Sequence, residues 1–221
     1  MTEMMRSTSK GPTPWSARNE CTRCAGSGWE SVGDRGVRRC SCRNIVQSQI
    51  HVTLPPRYWD ATLSAFPKPS IEIVEKWLEQ GTEGLLLTGP VGTGKTYLAA
   101  AIARAAIEAD IPVLFRRASE LYAEIRDSFN NTGTTERDVM WRYFNSRLLI
   151  LDDLGSGSLS DHERRSTLDV LDERWSQLRP TIVTTNWSVQ EIGERLDERI
   201  ASRLASYRLI ALTGRDRRVR K

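Results

Sequence analysis

The chain has 221 residues and a mass of 25.0 kDa, a length that suits one domain with a small appendage. Hydrophobic residues make up 39% and charged residues 27%, and the formal net charge is +4. That balance suits a soluble globular protein and permits a nucleic-acid partner without specifying one. No apolar run approaches the roughly 20 residues of a membrane span, which argues against a membrane partner. Residues 1–20 lack the apolar core of a signal peptide. A cytoplasmic protein is expected, in which four cysteines point to metal ligation and not to disulfides.

Residues 1–20 are rich in Ser, Thr, Pro and Gly, and a disordered tail is expected there, with Trp15 as the exception. All four cysteines follow within one short window, as Cys21-x-x-Cys24 and, fifteen residues later, Cys40-x-Cys42. Two close pairs joined by a Gly-rich loop can wrap four thiolates around one tetrahedral Zn²⁺. Gly26 and Gly28 relieve crowding after the first pair, and Arg23, Arg38, Arg39 and Arg43 offset the thiolate charge. So short a segment cannot build a core, so the metal would supply its stability. The competing reading is reduced, unpaired cysteines, or a disulfide formed after isolation. His51 is the one substitute ligand nearby, although four thiolates already complete the set. The expected organisation is a tail over 1–20, a zinc-binding module and linker over 21–54, and a catalytic core over 55–221.

Leu54-Pro55-Pro56-Arg57-Tyr58 marks the boundary, because two prolines favour extended backbone. A helix is expected from Pro69-Ser70, with Ser70 as N-cap, Ile71, Val74 and Leu78 inward, and Gly81 as the stop. Leu85-Leu86-Leu87 reads as a buried strand and leads into Gly89-Pro90-Val91-Gly92-Thr93-Gly94-Lys95-Thr96. This fits G-x-x-x-x-G-K-[ST], the phosphate-binding loop. A helix follows through Tyr97, with Leu98, Ile102, Ala105 and Ala109 along one face. The glycines let backbone N–H groups turn inward around phosphate oxygens, and the helix N-terminus favours negative charge. Lys95 would reach the β- and γ-phosphates of ATP, and the Thr96 hydroxyl would bind Mg²⁺.

A second strand is expected over Ile111–Phe115, then a helix capped by Ser119 with Leu121, Ile125 and Phe129 on one side. Asn130-Asn131-Thr132-Gly133 is a break, and Thr134 or Thr135 starts a helix carrying Met140 and Phe144. Arg147–Leu151 is nearly all apolar, as in a central strand covered on both faces. Ser160 and Glu163 form a capping box for a helix with Leu168, Leu171, Trp175 and Leu178 inward. Pro180–Thr185 is a fourth strand. Ser188 and Glu191 cap one further helix buried along Ile192, Leu196, Ile200 and Leu204, and Tyr207–Leu212 is a fifth strand. The basic tail 214–221 could contact phosphates or only solubilise. Alternating strands and helices imply an α/β fold, a parallel five-stranded sheet between two helical layers.

The third strand delivers Asp152 and Asp153 at its C-terminal end, about sixty residues after the loop. Asp152 would hold Mg²⁺ directly or through water, and Asp153 would orient or deprotonate the attacking water. An acid in the second position favours hydrolysis over transfer to a small acceptor. Asn186, after the fourth strand, is either a turn residue or the amide that positions that water. Arg199 and Arg203 share a helix face, either salt-bridged at the surface or reaching a neighbouring subunit's nucleotide.

Taken in order, Gly89–Thr96, Leu148–Asp153, Thr184–Asn186 and Arg199–Leu204 resemble the AAA+ ATPases of the DnaC/IstB group, over roughly residues 55–213. These are replicative helicase loaders and transposition helper ATPases. Cys21–Cys42 resembles the N-terminal zinc element of some loaders and DnaC-like phage proteins. The resemblance implies a three-layer P-loop NTPase core without a helical lid. It assigns Asn186 as the sensor and Arg203 as the arginine finger, assisted by Arg199. Asp153 stands where many AAA+ proteins carry Glu, so slow hydrolysis is expected.

The function so implied is that of an ATP-dependent loader. It oligomerises on ATP or DNA, binds single-stranded DNA and delivers a ring helicase. The alternative is a transposition helper acting with a transposase on duplex DNA. A small-molecule kinase would need a lid and an acceptor pocket. A zinc adaptor with a merely structural nucleotide site would not need the Asp152-Asp153 pair. Arg126, Arg137, Arg142, Tyr143 and Phe144 form the candidate DNA surface, or a solvated face over core aromatics.

Overall fold

The computed structural model describes residues 23–24, 29–33, 36–130, 133–214 and 216. The N-terminal tail with Trp15, Cys21, Gly26, Gly28, the centre of the 130–133 break and the arginines of 217–220 lie outside the described residues. Two strands, β1 (Trp29–Ser31) and β2 (Val37–Arg39), pair antiparallel as a hairpin. Helix α1 (Ser41–Thr53) follows. The remaining elements are α2 (Lys68–Gln80), β3 (Leu85–Thr88), α3 (Lys95–Glu108), β4 (Val113–Arg117), α4 (Ala118–Asn130), α5 (Glu136–Asn145) and β5 (Leu148–Leu154). After them come α6 (Asp161–Ser176), β6 (Thr181–Thr185), α7 (Val189–Arg195), α8 (Glu198–Ala205) and β7 (Arg208–Ala211).

Strands β3 to β7 form one sheet in the order β4-β5-β6-β3-β7, with every pairing parallel. Successive residues of a strand point to opposite faces, and both faces are apolar. Leu85, Leu87, Leu148 and Ile150 pack with Ile50, Val74, Trp77, Leu98 and Ile102 beneath α1, α2 and α3. Leu86, Leu149, Leu151 and Val183 pack with Leu121, Ile125, Leu171, Ile192 and Leu204 on the other side. Two cores sharing one sheet make the expected three layers.

The local signals that carry a mechanism recur. Thr135, Ser160 and Ser188 each cap a helix through a complete capping box, and Gly81 closes α2 at φ 65°. Other expectations are corrected. Helix α2 begins at Lys68 with Pro67 as N-cap, so Ser70 lies inside it; Pro69 fits the first turn, where its missing N–H costs nothing. Strand β4 starts two residues late because Ile111 closes α3. Its N–H donates to Ala106 O, the N–H of Asp110 donates to Ile107 O, and Asp110 takes φ 60°. This is a Schellman motif with a non-glycine residue in the left-handed position.

Strand β4 runs straight into α4, so Ser119 is not a cap; the Glu120 carboxylate accepts from the Arg117 N–H. The single helix expected after Ser188 is two. Asp197 accepts from the Arg199 N–H and starts α8 afresh, as a short acidic side chain competing for backbone donors does. Trp175 and Leu178 were expected inward and are exposed, and Phe129, placed on one side with Leu121 and Ile125, is exposed while those two are buried. On α6 the inward positions are Ser166, Thr167, Leu168, Val170, Leu171 and Arg174, so Leu168 and Leu171 point inward as expected and Arg174 takes the place expected for Trp175. The stretch up to Leu54, expected to be a linker, is helix α1, whose Ile50 enters the core together with Leu54.

Candidate functional site

The site begins where β3 turns into α3. Gly89 and Gly94 adopt φ 137° and 103°, values that L side chains rarely reach, and a Cβ on Gly89 would collide with the Leu212 carbonyl oxygen. Gly94 is the N-cap of α3 and offers no side-chain acceptor. The first N–H groups of α3 are therefore left for an anion. The loop is held from within, as the Thr93 hydroxyl donates to Pro90 O at 2.9 Å. Lys95 is buried, and its Nζ donates to Gly89 O at 2.7 Å and Pro90 O at 2.8 Å.

Strand β5 brings the acids to this loop. It continues through Leu154, and its pairing with β6 shifts register between Leu151 and Leu154. Such a bulge re-aims side chains. Asp152 is buried; its carboxylate accepts from the Thr184 hydroxyl at 2.7 Å and from the Thr96 hydroxyl at 3.2 Å. Burial pushes the Asp152 carboxyl up, against the hydrogen bonds from Thr184 and Thr96 and the positive charge of Arg117, while Asp153 raises it further. Asp153 sits at φ 59° and donates its N–H to Thr184 Oγ1 at 2.9 Å. Thr184 thus ties both acids to β6.

A cavity of about 740 Å³ opens here, lined by Val91, Gly92, Gly94, Lys95, Thr96 and Tyr97 together with Asp152, Asp153, Thr184 and Asn186. The structure therefore joins the loop, both acids and Asn186, as expected. Pro55, Arg57, Tyr58, Ala65, Phe115 and Arg117 complete the wall, and sequence reasoning assigned none of them to the site. For Arg117 the available signal was its place at the carboxyl end of a parallel strand, where ligands bind in open α/β sheets. Tyr97 extends the wall, with its ring near those of Tyr58 and Phe66.

Arg199 and Arg203 do not line this cavity. Arg199 forks onto Asp197 at 3.1 and 3.0 Å. The Arg203 Nε donates to Asp172 at 2.6 Å, and its guanidinium lies 4.2 Å above the Trp175 ring. Of the candidate DNA residues, Tyr143 is fully buried and cannot stack a base. Arg126 pairs with Glu163 and Arg142 with Glu124, whereas Trp141 and Phe129 are exposed.

Cys24 and Cys40 flank the β1–β2 hairpin and are both buried. Cys42 lies in the first turn of α1. Among the described residues no cluster of three or more His, Cys, Asp or Glu is placed to hold a metal. His51 stacks on Trp59 at 4.0 Å.

The family model of the IstB-like ATP binding proteins matches residues 74–210, more than half of the chain and all of this site except the wall before α2. The chain belongs to that family. Within it, this chain is 32% identical over 119 residues to the replicative helicase loader DnaC of Escherichia coli, covering 54% of this chain and 49% of that protein. It is 34% identical over 109 residues to an insertion-sequence ATP-binding protein of Pseudomonas fluorescens, covering 49% and 46%. The chain thus spans about half the length of these relatives. The crystal structure of the DnaC helicase loader superposes with a TM-score of 0.64 at 25% identity, over 72% of this chain and 100% of that one. The parallel five-stranded α/β fold is that of the P-loop AAA+ proteins. Among the described residues, no helix is long and apolar enough to cross a membrane.

Proposed function

We propose that this family member is an ATP-hydrolysing loader that binds single-stranded DNA and delivers a ring helicase in the cytoplasm. The observation that carries the reading is the meeting of Thr96, Asp152, Thr184 and Asp153 beneath the phosphate loop. A hydroxyl and a carboxylate 3.2 Å apart, the latter buried, fit a hard cation that prefers oxygen ligands. Thr96 and Asp152 would hold Mg²⁺, which offsets phosphate charge when bound. Lys95 and the loop N–H groups, from Gly89 to Thr96 and on to Tyr97, hold the phosphates. Asp153 takes the proton of the attacking water or orients it, and Asn186 positions that water.

Arg203, assisted by Arg199, acts on a neighbouring subunit, which requires it to leave Asp172 and Trp175. Mixing Arg203→Ala with Lys95→Ala chains then restores turnover that neither has alone; no restoration rules out the trans role. Cys21, Cys24, Cys40 and Cys42 hold Zn²⁺. The buried Cys24 and Cys40 at the open end of the hairpin support this, and elemental analysis should find about one zinc per chain; a metal-free preparation that still binds its partner would sink it. The cysteine module is the helicase-facing part, and residues from about 55 onward form the ATPase core.

The test of the loader reading is DNA binding by anisotropy. Single-stranded DNA should bind more tightly with ATP than with ADP, with a log–log salt slope of about −0.7 per phosphate contacted. Preference for duplex would transfer the chain to the transposition-helper reading, which its likeness to an insertion-sequence protein supports.

A further inference from the structure

The cavity wall holds a cation that the loop motif does not supply. Arg117 is the last residue of β4 and lies opposite Asp152 in the parallel β4–β5 register, one strand spacing of about 4.8 Å away. It lines the same cavity as Lys95, Thr96, Asp152, Asp153 and Asn186. Its neighbour Arg116 is spent on Glu124, and Arg199 and Arg203 are spent on Asp197 and Asp172. Among the described residues Arg117 enters no ion pair; only its backbone N–H is engaged, by Glu120.

We propose that Arg117 is a ligand of the terminal phosphate of ATP bound in its own subunit, and so distinguishes a nucleoside triphosphate from a diphosphate. The inference rests on the nucleotide reading above. The cavity sets Arg57, Lys95 and Arg117 against Asp152 and Asp153. Lys95 is anchored on the loop that begins at Gly89. Arg117 stands instead opposite Asp152 on the neighbouring strand and shares the cavity with Asp153 and Asn186, the residues assigned above to the attacking water. A guanidinium presents several donors in a fixed fork that suits phosphate oxygens. Because β4 is the edge strand of the sheet and the Arg117 side chain is exposed, the position serves the cavity without supporting the core.

The experiment is equilibrium binding of fluorescent ATP and ADP analogues with Mg²⁺ to the full chain, Arg117→Met, Arg117→Lys and Lys95→Ala, each first shown to melt like the unmodified protein. Arg117→Met should weaken ATP roughly ten- to a hundredfold, the range of one charge-assisted hydrogen bond, and leave ADP within about twofold. Arg117→Lys should recover part of the loss. Equal weakening of ATP and ADP would reduce Arg117 to a general field and overturn the proposal, as would unchanged binding of both. If the unmodified chain shows no Lys95-dependent binding of ATP, the nucleotide reading itself falls and takes this inference with it.

Discussion

Asp152 on β5 and Arg174 on α6 are both buried against one sheet, at 5% and 0% exposure. They sit at opposite ends of it. Arg174 occupies the amino ends of β5 and β6. Its guanidinium lies within hydrogen-bond distance of six oxygens, the Thr181 hydroxyl, Tyr143 O, Phe144 O, the carbonyl and hydroxyl of Ser146, and Pro180 O. Burial pushes its guanidinium down to about 9, yet it stays charged at neutral pH and is held by carbonyl oxygens at the end of α5. Asp152, at the carboxyl ends, has two hydroxyl partners and faces a cavity. A buried charge saturated by fixed backbone groups acts as a strut. One that meets only rotatable hydroxyls beside a cavity is set for a ligand.

Arg174→Met tests the strut. It should take a donor from the carbonyls of Tyr143, Phe144, Ser146 and Pro180, although Phe144 keeps the Arg179 guanidinium and Pro180 the Leu149 N–H, and cost roughly 1–3 kcal/mol in urea unfolding, with nucleotide affinity of the folded fraction unchanged. A cost below about 1 kcal/mol would erase the contrast with Asp152. A smaller effect lies beside it. Leu178 takes φ 52° where α6 ends, and the next N–H, of Arg179, donates to Arg174 O. A leucine there is strained, so Leu178→Gly should stabilise the chain by about 0.5–1 kcal/mol in the same assay. Destabilisation would mean that the leucine side chain contributes packing that its exposure denies.

The two ends differed in legibility for a physical reason. The phosphate loop, the apolar strand ending in two acids and the three capping boxes are each a pattern within a few consecutive residues, so their spacing announces them. Arg174 could not be foreseen, because no local pattern marks the backbone carbonyls that receive it and an arginine on an amphipathic helix reads as solvent-facing. That one residue also misplaced Trp175, which became the platform for Arg203 and not part of the core. Arg57, Tyr58 and Arg117 join the site only once the sheet order is known. Asp153 was foreseen as an acid after the strand; the bulge that sets its φ at 59° has no local signature.

The central claim is that the carboxyl-end acids serve ATP hydrolysis, and Asp153→Asn tests it most directly. Single-turnover assays beside ATP titrations separate binding from chemistry. The account predicts ATP affinity near that of the unmodified chain, with turnover lowered by roughly 10²–10⁴, the usual contribution of a positioned base. Turnover equal to that of the unmodified protein would contradict it.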